Sequence, residues 1–334
     1  MTKPDLRPDT TRQDPPTIRD ILERALPARL RRGTGGDTPG NRRRVEAGHL
    51  SWTRMFEVLR RDRLGQIGVT IFLVFLIVAV FAPFLAPSEP MEMHRRADGT
   101  FARMDQPSAE HLLGTTRMGR DILSQLIIGT RTAMIVGVIS AVITSLVGMN
   151  IGLIAGYFGG RVDNILMRIT DLVYGIPFLP LQIILVVILG PNLLNIILAI
   201  VLVAWRTTAR VIRAQVLSLK NRTFIEVAKV SGASDWWIIY RHLAPNVLPL
   251  TFVYTALAMG WAILTEASVS FLGYGDPRLI SWGKMLFNAH TAQATMVAWW
   301  WTVPPGLCIT LLVMSGFFIG RAYEEVENPR LKER

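Results

Sequence analysis

Five stretches of the sequence, Leu64 to Pro87, Thr132 to Gly160, Leu172 to Trp205, His242 to Thr265 and Val297 to Gly320, run without a single Asp, Glu, Lys or Arg. Roughly 20 such residues let a helix cross about 30 Å of hydrocarbon, where every backbone N–H and C=O must find its partner within the segment. Each run therefore reads as membrane-spanning. The third is too long for one crossing, and Gly190-Pro191-Asn192 interrupts it with turn residues. It reads as two helices, roughly 163–189 and 193–213. The expectation is an all-α integral membrane protein of six spans, in keeping with a composition that is 50% apolar.

Lys and Arg outnumber Asp and Glu by 36 to 25. Such a surplus serves nucleic acid or a membrane surface, and its placement decides for the membrane, because the cations gather at the ends of the apolar runs and in the first 64 residues. With six spans the termini share a side, and 28 of the Lys and Arg residues fall on that side against 8 on the other. That bias places both termini in the cytoplasm. Residues 1–50, rich in Pro, Gly, Arg and Asp, read as a disordered basic tail. Residues 51–63, with Trp52, Met55, Phe56 and Leu59 at helical spacing among arginines, read as a helix lying in the membrane interface or a basic anchor of the first span. Residues 64–324 form the membrane domain, with a long cytoplasmic loop at 214–246, and 325–334 a cytoplasmic tail.

Several chemistries are excluded. The single cysteine, Cys308, lies in an apolar run, and the five histidines have no metal-ligand spacing. A phosphate-cradling GxxxxGK[ST] loop is missing, and no series of membrane acids and histidines is visible for proton coupling. The chain is expected to be no enzyme and to bind no cofactor or metal. Uphill transport would need energy from elsewhere, which also disfavours a stand-alone secondary transporter.

Within the spans, Gly148, Gly152, Gly156 and Gly160 recur every fourth residue, as do Gly316 and Gly320, a spacing that lets helix backbones approach closely. Pro177 and Pro180 in the third span and Pro304 with Pro305 in the last should break or bend their helices. Glu266, with Ser270 one turn on, continues an apolar span; a carboxylate there marks a translocation path or reaches water at the span's end. Asp163, Arg168 and Asp171 are spaced for pairing along one helix. Trp299-Trp300-Trp301 reads as an interfacial aromatic belt.

The loop Glu226 to Pro245, EVAKVSGASDWWIIYRHLAP, differs from its apolar surroundings. Thr223-Phe-Ile-Glu226 fits a capping box that starts a helix near Phe224, with Phe224, Ile225, Val227 and Ala228 on its apolar side. Gly232 ends that helix in the left-handed conformation. Ser234, followed by Asp235, caps a second helix carrying Trp236, Trp237, Ile239, Tyr240 and Leu243, which Pro245 closes. Two such short helices expose more apolar surface than they can bury on themselves, which marks a partner surface or a membrane surface.

Glu226-Val-Ala228, Gly232 and Pro245 resemble the EAA loop of ABC importer membrane subunits, with Val227 for the middle alanine and His242 and Ala244 at the isoleucine and leucine positions. The likeness extends, in order, through HLLGTTRMGRDILSQLIIGTR (111–131), GLIAGYFGGRVDNILMRITDLVYGIPF (152–178), RVIRAQVLSLKNRTFIEVAKVSGAS (210–234), HLAPNVLP (242–249) and EASVSFLGYG (266–275). These segments are similar to the C-type permease of dipeptide, oligopeptide and nickel importers, except for Thr116, where that family usually carries an acid, and the tail EEVENPRLKER.

That resemblance implies a type I importer: a second homologous permease, two cytoplasmic ATPases binding ATP-Mg, and an extracytoplasmic solute-binding protein, in a bacterial or archaeal cytoplasmic membrane. Peptides are the expected cargo, with oligosaccharides or nickel chelates as alternatives. The EAA loop would seat in an ATPase groove through Glu226, Ala228, Gly232, Ala233, Ser234, Trp236, Trp237 and Tyr240. Glu266, Ser270, Pro177 and Phe178 are the candidates for the translocation path.

Overall fold

The computed structural model of the chain describes residues 62–327. The N-terminal tail, nearly all of the expected interfacial helix and most of the C-terminal tail lie outside the described residues. The first long helix, α1 (Arg63–Leu85), starts where the Asp62 carboxylate accepts from the Gly65 N–H at 2.7 Å. Its buried positions are Gly65, Gly68, Ala79 and Ala82, while Val74, Ile77, Val80 and Phe84 face outward. Small residues inward and large apolar residues outward invert the pattern of a soluble protein and are what lipid requires.

An irregular segment then leads to α2 (Ile122–Phe158), capped by Asp121, which accepts from the Ser124 N–H at 2.7 Å. This helix begins ten residues before the uncharged run, because Asp121 is a strong cap and Arg131 sits near one end of the helix. It stops at Gly159 and Gly160, both with positive φ (66° and 52°). Two shorter helices follow, α3 (Gly160–Gly175) and α4 (Phe178–Leu189), bent 93° from each other. The single helix expected over 163–189 is thus broken at Ile176-Pro177. Proline has no N–H to continue the ladder and forces the preceding residue, here at φ −96° and ψ 132°, out of the helical region.

After the Gly190-Pro191-Asn192 turn, α5 (Leu193–Leu219) is capped by the Asn192 side chain. A short helix α6 (Thr223–Val230) leads to α7 (Asp235–Trp237), whose path continues through a π-helical turn (Ile238–Leu243) into α8 (Ala244–Phe271). The chain ends with α9 (Trp282–Thr291) and α10 (Trp299–Glu327). Pro304 and Pro305 lie inside α10 without interrupting it, contrary to a break there. Among the described residues five helices are long and apolar enough to cross a membrane, and the bent pair α3–α4 makes a sixth if taken as one span.

α2 is the hub, packed against α5, α8 and α1, while α10 packs on α8 and α1. Backbone proximity explains the glycine stripe: a Cβ at Gly148 would lie 2.6 Å from the Thr208 Cβ, at Gly152 2.7 Å from the Ala209 carbonyl oxygen, and at Gly156 2.8 Å from the Val216 Cβ. Gly316 and Gly320 hold α10 against Ala256 and Leu257 of α8 in the same way. Gly160 is not part of the stripe; it makes the turn into α3. The tryptophan run is likewise not a belt. Trp300 and Trp301 are buried in a core with Ile122, Trp282 and Met285, and Trp299 alone is exposed, since successive helical positions face about 100° apart.

Candidate functional site

The loop between α5 and α8 folds as two short helices joined by a tight turn. Thr223 is the first helical residue of α6 and not its cap; Arg222 holds the cap position without a side-chain hydrogen bond, so the capping box does not form. Glu226 instead sits exposed in the first turn, where its charge complements the positive helix end. The exit follows the expected glycine chemistry. The Gly232 N–H donates to the Lys229 carbonyl at 3.0 Å, the Ala233 N–H donates to the Ala228 carbonyl at 3.1 Å, and Gly232 has φ 79°. This pair of bonds is a Schellman motif, which satisfies two carbonyls that the helix end leaves open.

The Ser234 hydroxyl then accepts from the Trp237 N–H at 3.4 Å and starts α7. Pro245 does not end this second helix. The chain passes into α8 through the π turn, in which the Ala244 N–H reaches back five residues to the Ile239 carbonyl. A widened turn of this kind accommodates the ring and missing donor of Pro245 without breaking the axis.

The hairpin has two faces. Ile225, Ala228, Ile238, Ile239 and Leu243 are buried against Met149, Leu153, Ile212 and Val216 of α2 and α5. Phe224, Val227, Val230, Trp236, Trp237 and Tyr240 are exposed, Val230 to 90%. The apolar side expected for α6 therefore divides, Ile225 and Ala228 inward and Phe224 and Val227 outward. A groove of about 670 Å³ runs between the two helices, lined by Phe224, Val227, Gly232, Ala233, Ser234 and Trp237 among others.

Polar and aromatic contacts fasten the hairpin to the end of α2. The Tyr157 hydroxyl donates to Asp235 Oδ1 at 2.6 Å, and the Tyr240 hydroxyl donates to Asn150 Oδ1 at 2.8 Å. The Lys229 ammonium lies 5.3 Å from the Tyr157 ring centroid, and the Trp236 ring meets Phe158 edge-on at 5.8 Å. Sequence reasoning did not find these partners. Asn150 and Tyr157, seven residues apart on one face of α2, were the available signal.

A second polar feature runs along α5. Arg213 forms a two-pronged pair with Asp163 (2.5 and 2.6 Å), and Arg210 pairs with Asp171 at 2.7 Å. Asp163 and Asp171 thus pair across helices and not along α3, because α3 returns antiparallel beside α5. Arg206, one turn before Arg210, stacks over Tyr174 (4.7 Å) and Phe178 (5.3 Å). Phe178 and Arg206 line a cavity of about 400 Å³ between α4, α5 and α8. Pro177 makes the break beside it. Glu266 and Ser270 are elsewhere, near the end of α8: the Ser270 hydroxyl donates to Glu266 Oε1 at 2.6 Å, and Ser281 at the start of α9 is a further partner. Glu266 is 3% exposed and lines neither this cavity nor the hairpin groove. The path candidates therefore form two separate groups.

Residues 148–333 match the family described as binding-protein-dependent transport system inner membrane component. The chain belongs to that family. Residues 51–107 match the N-terminal TM domain of oligopeptide transport permease C. Among curated relatives of this permease, the dipeptide transport system permease protein DppC of Alkalihalophilus pseudofirmus is 35% identical over 84% of the chain and 90% of the relative. The oligopeptide transport system permease protein OppC of Bacillus subtilis is 33% identical over 88% and 95%. The glutathione transport system permease protein GsiD of Pectobacterium atrosepticum is 31% identical over 84% and 92%. The protein is thus an ABC transporter permease of the bacterial cytoplasmic membrane, a transport component with several membrane helices whose system includes an ATPase and a solute-binding protein.

Proposed function

We propose that this permease forms half of the translocation path of an ATP-driven peptide importer, and that the hairpin 223–243 is its coupling element, seated in a groove of a cytoplasmic ATPase. One observation carries the reading: a compact two-helix unit that buries one apolar face on α2 and α5 while holding Phe224, Val227, Val230, Trp236, Trp237 and Tyr240 outward. An outward patch of large apolar and aromatic side chains beside an exposed carboxylate, Glu226, fits a protein groove better than bulk water. The peptide cargo follows from the dipeptide, oligopeptide and glutathione systems to which the relatives belong.

In this reading, residues 64–324 are the permease domain, both termini lie in the cytoplasm, and a second homologous permease completes the path. Two ATPases bind ATP-Mg and close on it, a solute-binding protein delivers peptide from outside, and this chain carries neither nucleotide nor catalytic residues. Closure moves the seated hairpin, and the spans shift from inward-open to outward-open. ATP bound on another chain thus biases a two-state element here.

The test is site-directed cross-linking in the assembled transporter. Cysteine at Val227 or Trp237 is expected to cross-link to an ATPase with a yield that changes when ATP is bound, whereas cysteine at Ile184, on the outer side of α4, is not. Absence of ATPase cross-links from every outward hairpin position in an active complex refutes the seating. Peptide uptake that survives removal of the ATPases refutes the importer reading in favour of a stand-alone transporter.

A further inference from the structure

The three arginines Arg206, Arg210 and Arg213 stand at i, i+4 and i+7 on one side of α5, and α3 runs antiparallel beside them. Two have carboxylate partners, Arg213 with Asp163 and Arg210 with Asp171. At the third level α3 offers Tyr174, and the break offers Phe178, in place of an acid. Among the described residues Arg206 has no carboxylate within ion-pair distance. One nitrogen of its guanidinium donates to the Val203 carbonyl at 2.5 Å, and its Nε is buried without a hydrogen-bond partner. A buried donor left unpaired costs about 1–3 kcal/mol, more when charged, and an oxyanion in the cavity beside it would remove that cost.

The surroundings define what that ligand is. The cavity of about 400 Å³ beside Arg206 is lined by Phe178, Thr207, Thr208, Tyr254 and Trp261, and it sits half-way along both α5 and α8. Arg206 is the first charge after the uncharged run that ends at Trp205, and it faces this cavity. Aromatic walls accept an apolar body, and the guanidinium, with five donors and no acceptor, selects a planar oxyanion.

We propose that Arg206 and this cavity form a cargo subsite that takes the carboxylate of a peptide in transit, with Trp261, Tyr254 and Phe178 around the adjoining side chain. The inference rests on the peptide reading above and adds a residue and a recognised group. The carboxylate supplies at the third level of the arginine series what Asp171 and Asp163 supply at the other two. The subsite also uses the break at Pro177, since Phe178 reaches the guanidinium only because α4 turns away from α3.

The experiment measures uptake by the complete transporter, with its partner permease, ATPases and binding protein, in vesicles of neutral lipid and in vesicles containing phosphatidylglycerol. Two hydrophobic tripeptides are compared, one with a free C-terminal carboxylate and one with a C-terminal amide. Any preference of the binding protein is common to wild type and variant, so it cancels when each peptide's variant rate is divided by its wild-type rate. For Arg206→Gln the free-acid ratio is expected to fall about tenfold, the scale of one charge-assisted hydrogen bond, and at least fivefold further than the amide ratio. Arg206→Lys, which keeps the charge and loses the fork, is expected between wild type and Gln.

Equal losses for both peptides, with assembly intact, overturn the subsite and leave Arg206 a structural role. No loss for either overturns it as well. A loss that follows the phosphatidylglycerol content and ignores the peptide terminus assigns the cavity to a lipid phosphate and overturns it too. A wild-type transporter that takes up neither peptide fails at the peptide reading itself, an outcome distinguishable from the others because it appears before any substitution is made.

Discussion

Gly232 offers the sharpest test of the hairpin, because its conformation and its surroundings ask for different things. Its φ of 79° lies in the left-handed region, yet a Cβ built there would meet no atom within 4 Å. Substitution therefore costs backbone conformational energy and no steric clash. For an ordinary L-residue that cost is about 1–2 kcal/mol, higher for a β-branched side chain and lower for Asn. At about 1.4 kcal/mol per tenfold, Gly232→Val at ~2 kcal/mol lowers the population of the closed turn relative to competing arrangements about 30-fold, and Gly232→Ala at ~1 kcal/mol about fivefold. The Schellman bonds of Gly232 and Ala233 open together, and the relative angle of α6 and α7 is lost.

Proteoliposomes containing the whole transporter report this as cargo moved per ATP hydrolysed. The ratio is expected to fall in the order Asn, Ala, Val, while the amount of assembled complex stays level, because the buried face of the hairpin is untouched. Wild-type coupling in Gly232→Val would refute the coupling role. An Asn variant as damaged as Val would refute the conformational reasoning, since it would show that space and not φ is limiting.

The fastenings beneath the hairpin give a second prediction. Tyr157→Phe removes the bond to Asp235, whose carboxylate is exposed and can turn to water, so the expected cost is about 1 kcal/mol. Hydrogen exchange of residues 223–243 should quicken severalfold, and Tyr157→Phe with Tyr240→Phe should quicken it further; unchanged exchange in the double variant would refute the anchoring. In the bundle, Gly152→Leu forces α2 and α5 apart and is expected to cost about 1–3 kcal/mol or more, read as a lowered unfolding temperature in detergent, whereas Gly306→Ala, with nothing within 4 Å, is tolerated. Glu266→Gln keeps an acceptor for the Ser270 hydroxyl and is expected to retain uptake within about twofold, while Glu266→Leu strands buried hydroxyl groups at about 1–3 kcal/mol. Loss of uptake in a well-folded Glu266→Gln would make the charge itself part of the path.

The sequence exposed most of this architecture because hydrocarbon imposes simple rules: a long uncharged run must be helical, and glycine at every fourth position must mark a close crossing. The left-handed Gly232 and the Ser234 cap were legible for a related reason, as each depends on a local backbone requirement that few residues meet. What stayed hidden depended on which helices are neighbours. Asp163 and Asp171 were spaced for partners on α3 and found them on α5. Trp300 and Trp301 had the composition of an interfacial belt and lie in a core. Thr223 and Glu226 had the spacing of a capping box, but the helix began one residue early and put Thr223 inside it. A break or bend was expected at Pro177, while its angle of 93° and the packing of α4 on α5 were not legible in the sequence.

These contacts also explain how a small displacement at the hairpin could travel. α2 has 37 residues, which at about 1.5 Å each makes a rod of about 55 Å. At one end it holds the hairpin through Asn150, Tyr157 and Phe158. At the other, Asp121 caps its first turn and receives His111 at 3.0 Å, tying the rod to the segment that follows α1. Between them Gly148, Gly152 and Gly156 bring α5 into backbone contact, and Gly137 brings Ile263 of α8 within 2.7 Å of where a Cβ would stand. Glycine contacts leave no long side chains to flex and absorb motion, and a packed interface shifts between discrete arrangements rather than stretching. A push on the hairpin is therefore expected to rotate α2 and α5 as one body. Under the coupling proposed above, the side of α5 that carries Arg206 would turn with them, and the guanidinium would change its exposure to the cavity in the same movement.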